Sequence, residues 1–156
     1  MAKHIWTVVC ESAAADGADG VLSIWRILEE LSAQIMIPHG QPLPDKTPPI
    51  PLTITIVSLW ERSTPDVEEK DEPFRVRVVD PAGKELFRRD QNMTLAGPHL
   101  RMRAMQKIAG LPLSEPGRYE IQILGKHGNR WAKVAAIPVQ VKISVVEGPP
   151  QGRKPS

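Results

Sequence analysis

A chain of 156 residues with 41% hydrophobic and 24% charged residues has the length and composition of one globular domain with its own core. A net charge of +2 excludes a surface that attracts phosphate through overall charge, and sixteen prolines against eleven glycines weigh against a helical fold. The lone cysteine, Cys10, excludes an intramolecular disulfide and points to a reducing, cytoplasmic setting, while no apolar stretch approaches the roughly 20 residues of a membrane helix.

The first predicted element is a strand. From Ile5 to Cys10 both faces are apolar, with Trp6, Val8 and Cys10 on one and Ile5 and Val9 on the other, as suits a strand inside a sheet. The apolar run breaks at Glu11 with no small-residue cleavage pattern, so no leader is expected. Asp16-Gly17-Ala18-Asp19-Gly20 then turns the chain. The segment from Val21 to Ile37 carries two periodicities. Val21, Ile24, Trp25, Leu28, Leu31 and Ile35 recur at helical spacing, yet β-branched and aromatic content and the preceding five-residue loop favour two strands with a bend near Glu29-Glu30.

Six prolines between Pro38 and Pro51 predict an extended surface loop. Leu52 to Trp60 reads as a strand in which Leu52, Ile54, Ile56 and Trp60 alternate with Thr53 and Thr55. A charged loop, Asp66 to Pro73, leads into a strand from Phe74 to Val79. There Asp80-Pro81-Ala82-Gly83 satisfies a type I turn and sends Lys84 to Arg89 back antiparallel. Further strands are expected around Leu100 to Ala104, Tyr119 to Ile123 and Val139 to Ile143, with a turn at Gly128-Asn129. The predicted domain is residues 1–146, and 147–156 reads as a disordered tail of glycine, proline and charge.

The run Leu113-Ser114-Glu115-Pro116-Gly117-Arg118-Tyr119 resembles the tyrosine corner of immunoglobulin-like and fibronectin-like sandwiches, in which a hydroxyl near the start of a late strand bonds back to upstream backbone. Four further features carry a second likeness: a first strand ending near Cys10, the Gly20-Val21-Leu22-Ser23-Ile24 stretch, the Asp80-Pro81-Ala82-Gly83 hairpin, and Gly110-Leu111-Pro112-Leu113 running into the corner. With these the chain resembles a family of small uncharacterised bacterial proteins, a domain of unknown function, over most of residues 4–143. That resemblance implies a β-sandwich and supports the strand reading of Val21 to Leu28. It implies no activity.

Candidate chemistry is sparse. Cys10 falls where alternation predicts burial, and a thiol buried among apolar groups is inert. His4, His39, His99 and His127 lack metal-ligand spacing, and neither a Gly-x-Ser-x-Gly elbow nor a phosphate-cradling glycine loop is present. Asp66, Glu68, Glu69, Asp71 and Glu72 would suit calcium by their oxygen chemistry, but lack EF-hand spacing and enclose Lys70, as an ordinary solvated loop does. Arg75 with Arg77, and Arg101 with Arg103, share strand faces; were those strands neighbours they would form a basic face able to take nucleic acid or an acidic protein. Outward arginines also simply solubilise a sheet. Among Trp6, Trp25, Trp60 and Trp131, the first and third fall on predicted core faces, and Trp131 beside the Gly128-Asn129 turn is the candidate contact for a carbohydrate or other ligand. Pro48-Pro49-Ile50-Pro51 has polyproline-ligand spacing, equally served by a stiff loop.

The expectation is therefore an all-β, immunoglobulin-like antiparallel sandwich of seven to nine strands, with no catalytic residues, metal or cofactor. Its expected role is a non-enzymatic interaction or scaffold module meeting a protein partner, or a second copy, through a strand edge or end loops. The alternative is a ligand-binding module using Trp131, the acidic loop or the arginine face.

Overall fold

The structure is a computed structural model describing residues 2–62, 70–95 and 100–149. Two sheets pack face to face. One holds four strands in the order β2-β1-β4-β7, formed by β1 (Lys3–Ala15), β2 (Leu22–Ile27), β4 (Ile50–Glu61) and β7 (Arg101–Leu113). The other holds β3 (Glu30–Ile37), β5 (Lys70–Val79), β6 (Glu85–Leu95), β8 (Gly117–His127) and β9 (Arg130–Glu147), in the order β3-β9-β8-β5-β6. This is the expected all-β sandwich, at the upper end of the expected strand number. Among the described residues every pairing is antiparallel except β3 with β9, which is parallel.

The parallel pair follows from how the ambiguous segment folds. Val21 to Ile37 is two strands, as its composition favours, and the chain passes from one sheet to the other across Leu28 and Glu29. Leu28 donates its N–H to the Val9 carbonyl at 2.8 Å, and Glu29 accepts from the Gln140 N–H at 2.9 Å, so adjacent residues bond to opposite layers. Its helical spacing has no structural counterpart: Trp25 is 51% and Val21 56% exposed, whereas Leu28 is buried.

Alternating residues of both sheets fill the space between them. Ile54, Ile56 and Trp60 of β4 face Phe74, Val76 and Val78 of β5 and Ile121 and Ile123 of β8, all nearly inaccessible to water. Each such side chain contributes about 1.5–3 kcal/mol by leaving water, which together outweighs any single polar contact in the molecule. Trp60 packs against Phe74 with ring centroids 5.6 Å apart and donates its indole N–H to Ser58 Oγ at 3.0 Å, so its one polar atom is satisfied.

The corner at β8 takes the form its residues predict. The Tyr119 hydroxyl donates to the Glu115 carbonyl at 2.9 Å and accepts from the Glu115 N–H at 3.3 Å, while its ring is buried. Gly117 has a φ of 138°, and a Cβ there would lie 2.8 Å from Pro81 Cγ, so the corner closes directly on the β5–β6 turn. That turn is Asp80 to Gly83: Gly83 N–H donates to the Asp80 carbonyl at 2.9 Å, and the Asp80 carboxylate accepts from Lys84 N–H at 2.7 Å.

Several sequence boundaries differ from expectation. The proline loop ends sooner, because Ile50 and Pro51 belong to β4, with Pro51 opposite Pro112. Strands β6, β7 and β9 run well past their legible alternation. Glu147 is the last residue of β9 rather than part of a tail, its carboxylate accepting from the Gly40 N–H and meeting His39 Nδ1, each at 2.8 Å. Residues 150–156, His99 and the acidic-loop residues Asp66, Glu68 and Glu69 lie outside the described residues.

Candidate functional surfaces

The arginines are divided between the two outer faces. Arg75 and Arg77 alternate with the core residues of β5, so they stand on the outer face of the five-stranded sheet. Arg101 and Arg103 stand on β7, an edge strand of the opposite sheet. β5 and β7 are not neighbours, and no common basic face forms.

On the five-stranded sheet the structure brings Arg75 and Trp131 together. The Arg75 guanidinium lies 4.2 Å from the Trp131 ring centroid, and Lys126 approaches the same ring at 5.9 Å. Arg75 also forks onto Asp90 across the β5–β6 pair, with Nε and Nη2 at 2.5 and 2.7 Å from the two carboxylate oxygens. That bond raises the Arg75 pKa and holds the Asp90 carboxyl below its ordinary range. Arg77 donates to Gln122 and lies 3.9 Å from Glu85, while Gln122 donates to Glu120, which Lys133 meets at 3.4 Å. The bond from Gln122, then the one from Lys133, lowers the Glu120 pKa. Each cation in this set has an anion or ring within reach, so the face forms a closed network of charge pairs.

The four-stranded sheet differs. Register places Trp6, Val8 and Cys10 of β1 beside Leu59, Val57 and Thr55 of β4, and Val57 beside Met105 of β7, all on the outer side. Cys10 and Val57 are wholly buried there, outside the main core. The Cys10 thiol sits 3.4 Å from the Thr55 carbonyl, and burial raises its pKa. Trp6, placed on a core face by its sequence pattern, is instead a half-buried member of this outer surface. A bulge between His4 and Trp6 turns His4 towards Trp60, with centroids 5.1 Å apart, and leaves Trp6 on the other side. Burial lowers the His4 pKa, opposed by a hydrogen bond with the Trp6 backbone, and His4 Nε2 lies 2.7 Å from Thr7 Oγ1.

Beyond Cys10 the β1–β2 hairpin leaves β4 and arches over this surface. Arg26 takes a φ of 54° where the hairpin bends, its guanidinium 2.9 Å from Glu11. The tip reaches β7, where Arg103 donates to the Gly20 carbonyl. Val21 and Leu22 on the tip and Trp6, Leu59 and Met105 on the sheet border an open groove of about 860 Å³, with Arg101 and Arg103 at its rim. Arg101 is paired with Glu61 at 3.0 Å. Met105 at the groove is 45% exposed, and Trp25 and Ile27, farther along the hairpin, are 51% and 61% exposed. Sequence reading passed over this surface because it comprises single apolar residues on three strands, joined only by the hairpin's curvature.

Among the described residues no group of three or more His, Cys, Asp or Glu is placed to hold a metal ion, and no helix is long and apolar enough to cross a membrane. Fold and surface define the class: an all-β sandwich with one charge-paired outer face and one apolar outer face. No family model matches the chain, and no curated protein matches it. Among solved structures it is similar to the crystal structure of the C-terminal domain of wzt, at 11% identity and a TM-score of 0.47, over 90% of this chain and 73% of that one.

Proposed function

We propose that this protein is a non-enzymatic interaction module that meets a protein partner through the outer face of its four-stranded sheet and the hairpin arched over it. One observation carries the reading: Val21 of the hairpin and Met105 of β7, both large and apolar, border one open groove while 56% and 45% exposed, and Trp25 and Ile27 of the same hairpin are 51% and 61% exposed. Aromatic and methionine side chains flanked by arginine form the composition that protein interfaces favour at their centres. The sequence expectation looked to strand edges or end loops; the apolar face is the better-supported contact surface. A reducing, cytoplasmic setting belongs to this reading and rests on the lone buried thiol.

The ligand-binding alternative has less support. One face of Trp131 already carries the Arg75 guanidinium, and Asp71 is engaged by the Thr94 hydroxyl at 2.7 Å.

Site-specific photo-crosslinking tests the reading. A crosslinker at position 25 or 105 should capture one stoichiometric protein in cells of the source, and Ile27→Glu should abolish capture. A crosslinker at position 88, on the charged face, should not capture it. Equal capture from all three positions, or none from 25 and 105, overturns the reading.

A further inference from the structure

We propose that β3 is a dimerisation strand: two copies of the chain pair antiparallel along Glu30–Ile37, joining their five-stranded sheets into one of ten strands. The inference is independent of the apolar face and rests on a different edge.

Each sheet has two edge strands, and three of the four carry devices that discourage pairing. β2 has only six residues, and its Arg26 is in the left-handed region. β6 carries Arg88, Arg89 and Asp90 in succession, and β7 carries Arg101, Arg103 and Lys107 together with Gly110 at a φ of 73°. Charge, irregular backbone and short length are the usual protections of a free edge. β3 has none of them: Glu-Leu-Ser-Ala-Gln-Ile-Met-Ile holds eight residues without lysine, arginine, proline or glycine. Its one charge, Glu30, is bonded to Lys142 of β9 at 2.7 Å.

Backbone polarity shows which groups are available. The Glu29 carbonyl accepts from Gln140 and the Ile37 carbonyl from Gly148, so odd-numbered residues point their N–H and C=O towards β9. Even-numbered residues 30, 32, 34 and 36 therefore point theirs away from the sheet. Among the described residues none of these four bonds to backbone outside the strands.

The strand is also complementary to itself. A two-fold axis through Ala33 sets Ser32 opposite Gln34 and Glu30 opposite Met36, in pairs that exchange the outward backbone bonds. Leu31 then faces Ile35, and Ala33 faces its own copy, on the side that carries the core. These residues are half-buried in one chain, as are Ile37 and Ile143, and Val145 beside them is 36% exposed. Pairing covers an apolar flank that a single chain leaves open, and the symmetric arrangement closes after two copies.

The register makes a covalent prediction. Ala33 and its copy form a non-hydrogen-bonded antiparallel pair with Cα atoms about 4.5 Å apart, within disulfide reach. Oxidised Ala33→Cys protein should run as a dimer on a non-reducing gel, whereas the wild type, with Cys10 buried, should not. Light scattering of the wild type at tens of micromolar should give twice the monomer mass. Ser32→Pro with Gln34→Pro removes two outward donors while leaving the bonds to β9, so it should give monomer with an unchanged far-ultraviolet spectrum. Gln34→Lys, which adds edge charge without touching the backbone, should weaken the dimer at least tenfold. Monomeric wild type up to millimolar concentration, or a dimer unaffected by Gln34→Lys and by the proline pair, overturns the proposal.

Discussion

The two outer faces of this sandwich meet the same solvent in opposite ways. On the five-stranded sheet Arg75, Asp90, Arg77, Gln122, Glu120 and Lys133 satisfy one another, and the one large aromatic side chain, Trp131, lies against a guanidinium. On the four-stranded sheet Val57 and Cys10 are wholly buried on the outer side, and Met105, in register beside Val57, is 45% exposed. A sheet needs one apolar face to build a core; apolar character on the second indicates something beyond folding.

Five variants and one titration would break or sharpen this contrast. Val57→Asp, which buries an unpaired carboxyl beneath the apolar face, should cost more than about 3 kcal/mol in chemical denaturation. Arg77→Ser on the charged face should cost no more than about 0.5 kcal/mol, and comparable losses would show that the faces do not differ. Tyr119→Phe, at the corner that closes the five-stranded sheet, should cost about 0.5–1.5 kcal/mol by removing the hydroxyl's bonds to the Glu115 backbone. Arg75→Ala should cost about 1 kcal/mol or less and change Trp131 fluorescence, since it removes the stacked cation. Trp25→Ser with Ile27→Ser should leave stability within about 0.5 kcal/mol while lowering binding of a hydrophobic dye, and a larger loss would mean that these residues are packed rather than presented.

The titration concerns His4. Its folded pKa lies below the ordinary 6.5, so the unfolded chain takes up the proton first. The stability associated with neutral His4 is complete above pH 6.5 and is lost as pH falls towards the folded value. His4→Asn should flatten that part of a melting-temperature profile. A wild-type profile that rises on acidification through this range would show that the proton is held more tightly in the folded state.

Much of the architecture was legible because β4, β5 and β8 alternate cleanly, with Ile54, Val76 and Ile121 as core markers and Asp80-Pro81-Ala82-Gly83 as punctuation. The corner was legible to the level of a single hydroxyl. What escaped did so at bulges. In β7 the buried residues run Gln106, Ile108, Leu111, Leu113, and the step of three falls where Gly110 takes a positive φ and the register with β4 shifts between Leu52 and Ile54. In β9 a register shift opposite Ile123 and Leu124 similarly obscured the first half of an eighteen-residue strand. Of the candidate surface, Arg75, Arg77 and Trp131 were readable as outward residues. That β5 and β7 lie in different sheets was not, since sheet order is set by long-range pairing. The parallel placement of β3 likewise depends on a crossing of two residues whose direction no local pattern records.

The carboxylate of Glu147 carries a practical corollary for anyone cutting or tagging the chain. By holding His39 and Gly40 it ties the far end of the final strand to the start of the proline-rich crossing, so trimming at Val146 removes an anchor for a loop more than one hundred positions upstream. Trimming after Pro149 leaves that anchor in place, and a fluorophore or affinity handle belongs on that side of the boundary.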